Sequence, residues 1–179
     1  MEPLLIAQSL IQRPDWVDAI RTCEDAAAKR WALYARAKVM LPYWESRYQR
    51  DDSMSNLVDH MAIGVRTPSS ENDAQLEAAI PRRQLSDRDL CILEGFGLDD
   101  YSNCPADFAG DSIFCAARAF FDRPDDDYHL LYAFDTAEEC LARLLVARDA
   151  HYDDNTDYPG MAKEHLREKM LEILAGEIV

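Results

Sequence analysis

The chain contains no run approaching the roughly 18 consecutive apolar residues of a membrane-spanning helix. Its mean hydropathy is -0.35, which argues equally against a membrane protein. The first residues, Met1-Glu2-Pro3-Leu4-Leu5-Ile6, lack both a basic leader and a small-residue cleavage site, so no signal peptide is expected. Paired cysteine motifs are missing too. Cys23, Cys91, Cys104, Cys115 and Cys140 are an odd number with no Cys-x-x-Cys spacing, which excludes a regular disulfide framework and predicts reduced thiols in a cytoplasmic protein. Strand-like alternation, internal repeats and low-complexity linkers are absent, so nothing divides residues 1–179 into more than one domain. Catalytic signatures are also lacking. There is no His-Glu-x-x-His, no Gly-x-Ser-x-Gly and no Walker lysine motif, and Gly95-Phe96-Gly97 is too short for a dinucleotide fingerprint. No catalytic residue, cofactor or metal site is expected from these patterns.

Positive charge is the other scarcity. Nineteen Lys and Arg face 34 Asp and Glu, a formal net charge of -15. The imbalance is uneven. Residues 1–50 hold eight basic and six acidic residues, so the remainder carries -17. Phosphate would be repelled by such a chain, which argues against nucleic acid as a partner and favours a basic one.

What the sequence has in quantity is helical periodicity. Trp16, Ile20, Cys23, Ala27, Trp31 and Tyr34 recur at steps of three and four, while Asp18, Arg21, Asp25, Lys29 and Arg36 fall on the other face. This predicts one long amphipathic helix capped by Asp15, with Trp31 buried and Pro42 breaking or kinking it. A second helix carries Met54, Leu57, Val58, Met61 and Ala62 and stops at Gly64; Ser70 caps a third over residues 71–80; Ser86 caps a short one ending at Gly95. Residues 95–111 read as a long loop. Asp111 or Ser112 then starts a helix with Ile113, Phe114, Ala117, Phe120 and Phe121, and Thr136 opens another with Cys140, Leu141, Leu144 and Leu145 inward. Glu139 and Arg143 form an i,i+4 pair on it. A polar loop over 153–160 leads to a last helix over about 161–175. The expected fold is all-α, an irregular bundle of about seven helices.

Asp153, Asn155 and Asp157 fit the first ligand positions of a calcium loop, and Glu164 its twelfth. Tyr158, where the sharp turn needs glycine, argues against it, and an acidic interhelical turn is the preferred reading. His165 and Glu168 are one turn apart, yet no third ligand is evident.

Three acid clusters remain. Asp99-Asp100-Tyr101, Asp125-Asp126-Asp127-Tyr128, and Asp153-Asp154 with Asp157-Tyr158 all fall in predicted loops and set tyrosine beside carboxylate. Carboxylates suit Arg and Lys on a partner, and tyrosine adds rigid contact area. These eleven residues are the candidate partner-binding set; the competing account is solvated helix connections that keep the protein soluble.

The stretch Trp31-Ala32-Leu33-Tyr34-Ala35-Arg36-Ala37-Lys38-Val39-Met40-Leu41-Pro42-Tyr43-Trp44-Glu45, together with Ala116-Ala117-Arg118-Ala119, resembles the helical immunity proteins of bacterial polymorphic toxin systems. The likeness is an Arg- and Ala-rich helix, a Leu-Pro-aromatic-x-Glu motif and further Ala-rich helices, over about half the chain. It implies an all-α cytoplasmic, non-enzymatic inhibitor that binds a cognate toxin domain with a basic surface, with no membrane and no nucleic acid involved. Two other classes stay open: a helical adaptor or regulatory subunit, and a small carboxylate- or metal-dependent enzyme.

Overall fold

A computed structural model describes residues 2–80, 104–121, 126–149 and 155–178 of the chain. The described residues form eight helices and no strand: α1 (Glu2–Ile11), α2 (Trp16–Arg21), α3 (Ala26–Glu45), α4 (Ser53–Arg66), α5 (Ser70–Ala79), α6 (Pro105–Ala119), α7 (Asp126–Arg148) and α8 (Tyr158–Gly176). The fold is all-α, as the periodicity predicts. The α3 helix is the hub, packing against α1, α4, α6 and α8, while α6 and α7 make the most extensive pairing.

The expected first helix is two helices. Thr22 bonds back to the Asp18 carbonyl through its hydroxyl (2.8 Å), and the Asp25 carboxylate accepts the Ala28 amide (3.0 Å) to cap α3 afresh. A new cap resets the helical phase. The inward face of α3 becomes Ala28, Ala32, Leu33, Tyr34, Ala35, Arg36, Ala37, Val39 and Met40. Ala27 is therefore exposed, and Trp31 is only half-buried, edge-on to Tyr34 at 5.9 Å. The fully enclosed tryptophan is Trp16, edge-on to Phe134 at 5.2 Å.

Pro42 does not end α3. The helix continues to Glu45, with the Ser46 amide bonded to the Pro42 carbonyl (3.0 Å). The carbonyl that proline leaves without a helical donor is that of Lys38, an exposed residue. Gly64 likewise sits inside α4, because a Cβ there would lie 3.1 Å from the Phe120 ring. Ser69, not Ser70, caps α5, accepting the Asn72 amide (3.1 Å).

The expected loop over 95–111 is helical from Pro105 onward, with proline in the first turn where its missing N–H is harmless. Gly110 lies buried within α6 and gives room to Trp44, whose ring atoms lie 2.6 Å from where a Cβ would stand. Trp44 stacks on Tyr48 (4.1 Å), and the Tyr48 hydroxyl donates to Asp107 of α6. The Leu-Pro-aromatic segment thus clamps the end of α3 onto α6. Gly110→Ala, although alanine favours helix by about 1 kcal/mol, is expected to lower stability by about 1–3 kcal/mol through this overlap. Urea unfolding measures it; a more stable variant would show that Trp44 can move aside freely.

Thr136 begins no helix. It is buried in mid-α7 with its hydroxyl bonded to the Tyr132 carbonyl (2.7 Å). The Glu139–Arg143 pair forms at 2.5 Å. The last helix starts earlier than expected, at Tyr158, because the Asp157 carboxylate caps it by accepting the Gly160 amide (2.9 Å). The short helix expected from Ser86 lies outside the described residues. Arg30 closes the fold between α3 and α5 with a bidentate pair to Asp73 (3.0 Å) and a bond to the Phe120 carbonyl (3.0 Å). Glu177, after α8, accepts from Arg66 (2.6 Å) and Tyr34 (3.0 Å).

Candidate partner-binding surface

Of the expected contact residues, Asp99, Asp100, Tyr101, Asp125, Asp153 and Asp154 lie outside the described residues. Asp126 and Asp127 open α7 rather than sitting in a loop, since carboxylates in a first turn complement the helix dipole. Asp127 and Tyr128 are exposed there. The Tyr128 ring stacks on Tyr132 at 5.9 Å and meets His129 edge-on at 5.5 Å. Leu131, one turn on, is also exposed.

At the other end of α7 the picture divides. Asp157 is exposed, though one carboxylate oxygen is engaged as the α8 cap. Tyr158 is a correction: it is buried, and its hydroxyl donates to Asp149 (2.8 Å), tying α8 to the end of α7. A tyrosine at a helix start packs inward when its neighbour supplies the cap, so Tyr158 offers no contact area to a partner. Of the calcium-loop positions, Asp153 lies outside the described residues. Asp157 serves α8, and Glu164 pairs with Arg167 at 2.8 Å, one turn along the same helix. Among the described residues no three His, Cys, Asp or Glu side chains gather as a metal site.

The α7 helix has 23 residues and so spans about 34 Å at 1.5 Å per residue. The clusters at Asp127 and Asp157 therefore stand at opposite ends of the longest helix among the described residues. A standard interface of about 800 Å² per partner is about 30 Å across. One such contact is centred on one end, not on both.

A groove of ≈ 390 Å³ opens between α3, α7 and α8. Leu141, Leu144 and Leu145 form one wall, Met161 and His165 the other, with Tyr43 between them and Arg148, Glu164 and Glu168 among the lining residues. Met161 is 50% exposed, the most open of the large apolar side chains among the described residues. On α8 the spacing Met161, Glu164, His165, Glu168 is one continuous face. Tyr43 comes from the Leu-Pro-aromatic motif; burial raises its pKa, opposed by the nearby cations of Arg148 and Lys169. Sequence reasoning placed none of these in a partner site. The i,i+3,i+4,i+7 spacing was visible, but a groove requires knowing that α7 and the end of α3 lie alongside.

Asp135 and Glu138, one turn apart on α7, are carboxyls whose pKa values burial raises, with Lys163 of α8 pulling the other way. They lie outside the groove lining. Seven ion pairs join described residues, among them Arg13–Asp15, Arg21–Asp18 and Lys169–Glu172, and each takes one cation out of a small supply. Exposed acids such as Asp127 and Glu168 are left to dominate the surface field. Among the described residues no helix is long and apolar enough to cross a membrane. Compared with known families, curated proteins and solved structures, the chain matches none of them.

Proposed function

We propose that this chain is a cytoplasmic bacterial immunity protein that neutralises a cognate toxin by covering its basic substrate cleft. The observation that supports it best is the coincidence of net charge -15 with an apolar groove edged by acids near the α7–α8 connection. Apolar surface in a groove supplies the association energy, and surrounding carboxylates steer and orient a basic partner. The groove end is preferred to the Asp127 end because it pairs acid with concave apolar surface. The protein contributes no catalytic group in this reading; it acts by occlusion.

The test is surface-plasmon kinetics against the toxin domain encoded beside this gene. Glu164→Lys with Glu168→Lys is expected to weaken binding by at least about tenfold, since like charges set against each other in an interface cost several kcal/mol. Replacing Asp125, Asp126 and Asp127 by Asn is expected to slow association modestly. Raising salt should slow it further, as the Debye length shrinks below about 8 Å. A stronger effect from the aspartate triple variant would move the interface to the other end of α7. Failure to bind the neighbouring toxin domain at all would sink the immunity reading. Binding without loss of toxin activity would favour an adaptor.

A further inference from the structure

The groove between α7 and α8 is walled by two stripes of the same period. From α7 come Leu141, Leu144, Leu145 and Arg148, and from α8 come Met161, Glu164, His165 and Glu168. Each set follows i, i+3, i+4, i+7, so each is one face of its helix. The two helices run back along one another. The Tyr158 hydroxyl at the start of α8 donates to Asp149 just past the end of α7 (2.8 Å), and Lys163, further along α8, acts on Asp135 and Glu138 further back on α7. At a rise of 1.5 Å per residue each stripe is about 10 Å long, or about two turns. Tyr43, near the end of α3, lies between the two walls.

The walls differ in chemistry. On the α7 side Leu141 is buried and Leu144 and Leu145 are half-buried, so apolar surface is still open between them and the exposed Met161. On the α8 side Glu164 and Glu168 are exposed one turn apart. Arg148 stands near the end of α7, beside the connection to α8. An occupant must therefore be apolar toward α7, basic toward Glu164 and Glu168, and negative at the Arg148 end. One helix meets all three demands. Its apolar and basic residues segregate to adjoining faces, and its carbonyl end carries partial negative charge. An extended segment has less to bind, because the described residues offer no strand edge to lengthen. A second copy of this chain would set one net charge of -15 against another.

We propose that this groove takes one basic amphipathic helix of a protein partner, inserted over about two turns. Aliphatic side chains at i, i+4 and i+7 of that helix cover Leu144, Leu145 and Met161, and Lys or Arg beside them meets Glu164 and Glu168. The inserted helix packs its ridge between α7 and α8, as a third helix does against an antiparallel pair. That the helix belongs to the toxin domain rests on the immunity reading; the fit of the groove to a helix does not. A polybasic tail without an apolar face would satisfy the same carboxylates and leave Leu144 and Met161 uncovered.

Fluorescence polarisation of the intact protein with two labelled synthetic peptides tests the groove without the toxin. One peptide sets leucines at i, i+4 and i+7 with lysines flanking them. The other has the same composition with its leucines spread around the helix. The first is expected to bind at least about tenfold more tightly, since only a segregated apolar face can be buried in a groove. Met161→Ser is expected to weaken that binding about fivefold through lost apolar burial. It should leave the fold intact, because Met161 is 50% exposed. Glu164→Gln with Glu168→Gln should weaken it by a similar factor, and more so at low salt. Equal binding of the two peptides, or binding indifferent to Met161→Ser, would overturn the proposal and leave only an acidic field. The toxin domain encoded beside this gene then separates the two readings. Toxin binding unaffected by Met161→Ser and by excess leucine-faced peptide would sink the groove and keep the immunity reading. Peptide held in the groove with no binding of the toxin domain would sink the immunity reading and keep the groove.

Discussion

Trp16→Ala is expected to lower stability by about 3–5 kcal/mol, the range for deleting a fully enclosed aromatic. Trp31→Ala is expected to cost about half of that or less. The indole of Trp16 is 1% exposed and meets Phe134 edge-on at 5.2 Å, joining the short α2 to α7. A six-residue helix has little stability of its own, so its docking depends on this one side chain. Trp31 keeps part of its ring in solvent, and its neighbours can close over the gap. The Trp16 Nε1–H is buried without an acceptor, so Trp16→Phe, which deletes that donor while keeping an aromatic ring, should recover much of the loss. Urea-induced unfolding of the three variants measures the order. Equal losses for the two alanine variants would mean that the phase of α3 is misplaced.

That phase is also where the sequence stopped being legible. Helical periodicity named the class and many inward residues, because burial of one face is the same physics in any helix. It joined α2 to α3 because Asp25 was counted as an exposed face residue when it is a cap, and four residues between helices are enough to rotate the pattern. Pro42 and Gly64 looked like breakers, and Gly110 fell in the segment read as a loop. Their settings are found only in tertiary structure: Pro42 stands four residues after the exposed Lys38, Gly64 faces the Phe120 ring and Gly110 the Trp44 ring. The aspartates before α7 and α8 were read as loop, although acids in these positions also begin helices. In the candidate site the acids were visible, while the groove was not, since Tyr43, Leu144 and Met161 come from three separate helices. Arg36 was assigned outward from its polarity alone. Its Ala-rich surroundings, Ala32, Ala35 and Ala37 before and after it, were the available signal that this side of α3 packs closely.

Arg36→Ala is expected to cost about 2–5 kcal/mol, whereas Arg36→Met is expected to leave stability within about 1 kcal/mol of wild type or to raise it. Alanine leaves a cavity at the junction of three helices. Methionine fills most of the volume without a charge to desolvate, and apolar replacements of buried ions are often neutral or stabilising. The acceptors that Arg36 leaves behind keep other partners: the Ala133 carbonyl still receives the Ser112 hydroxyl (2.8 Å) and Thr136 (3.3 Å). Arginine at this position is then best understood as fixing register. The facing surfaces include Ala109, Ala116 and Ala117 of α6 and Ala133 and Ala137 of α7, all small and buried, which let helices approach closely but specify their offset weakly. A planar fork that reaches Ser112 and Ala133 together pins α3 to both helices at one offset. Amide exchange in α6 and α7 is therefore expected to quicken in Arg36→Met even where global stability is kept. A methionine variant as unstable as the alanine one would mean that the bonds and charge of Arg36, rather than its volume, hold the junction together. Unchanged exchange in a fully stable methionine variant would remove the register role.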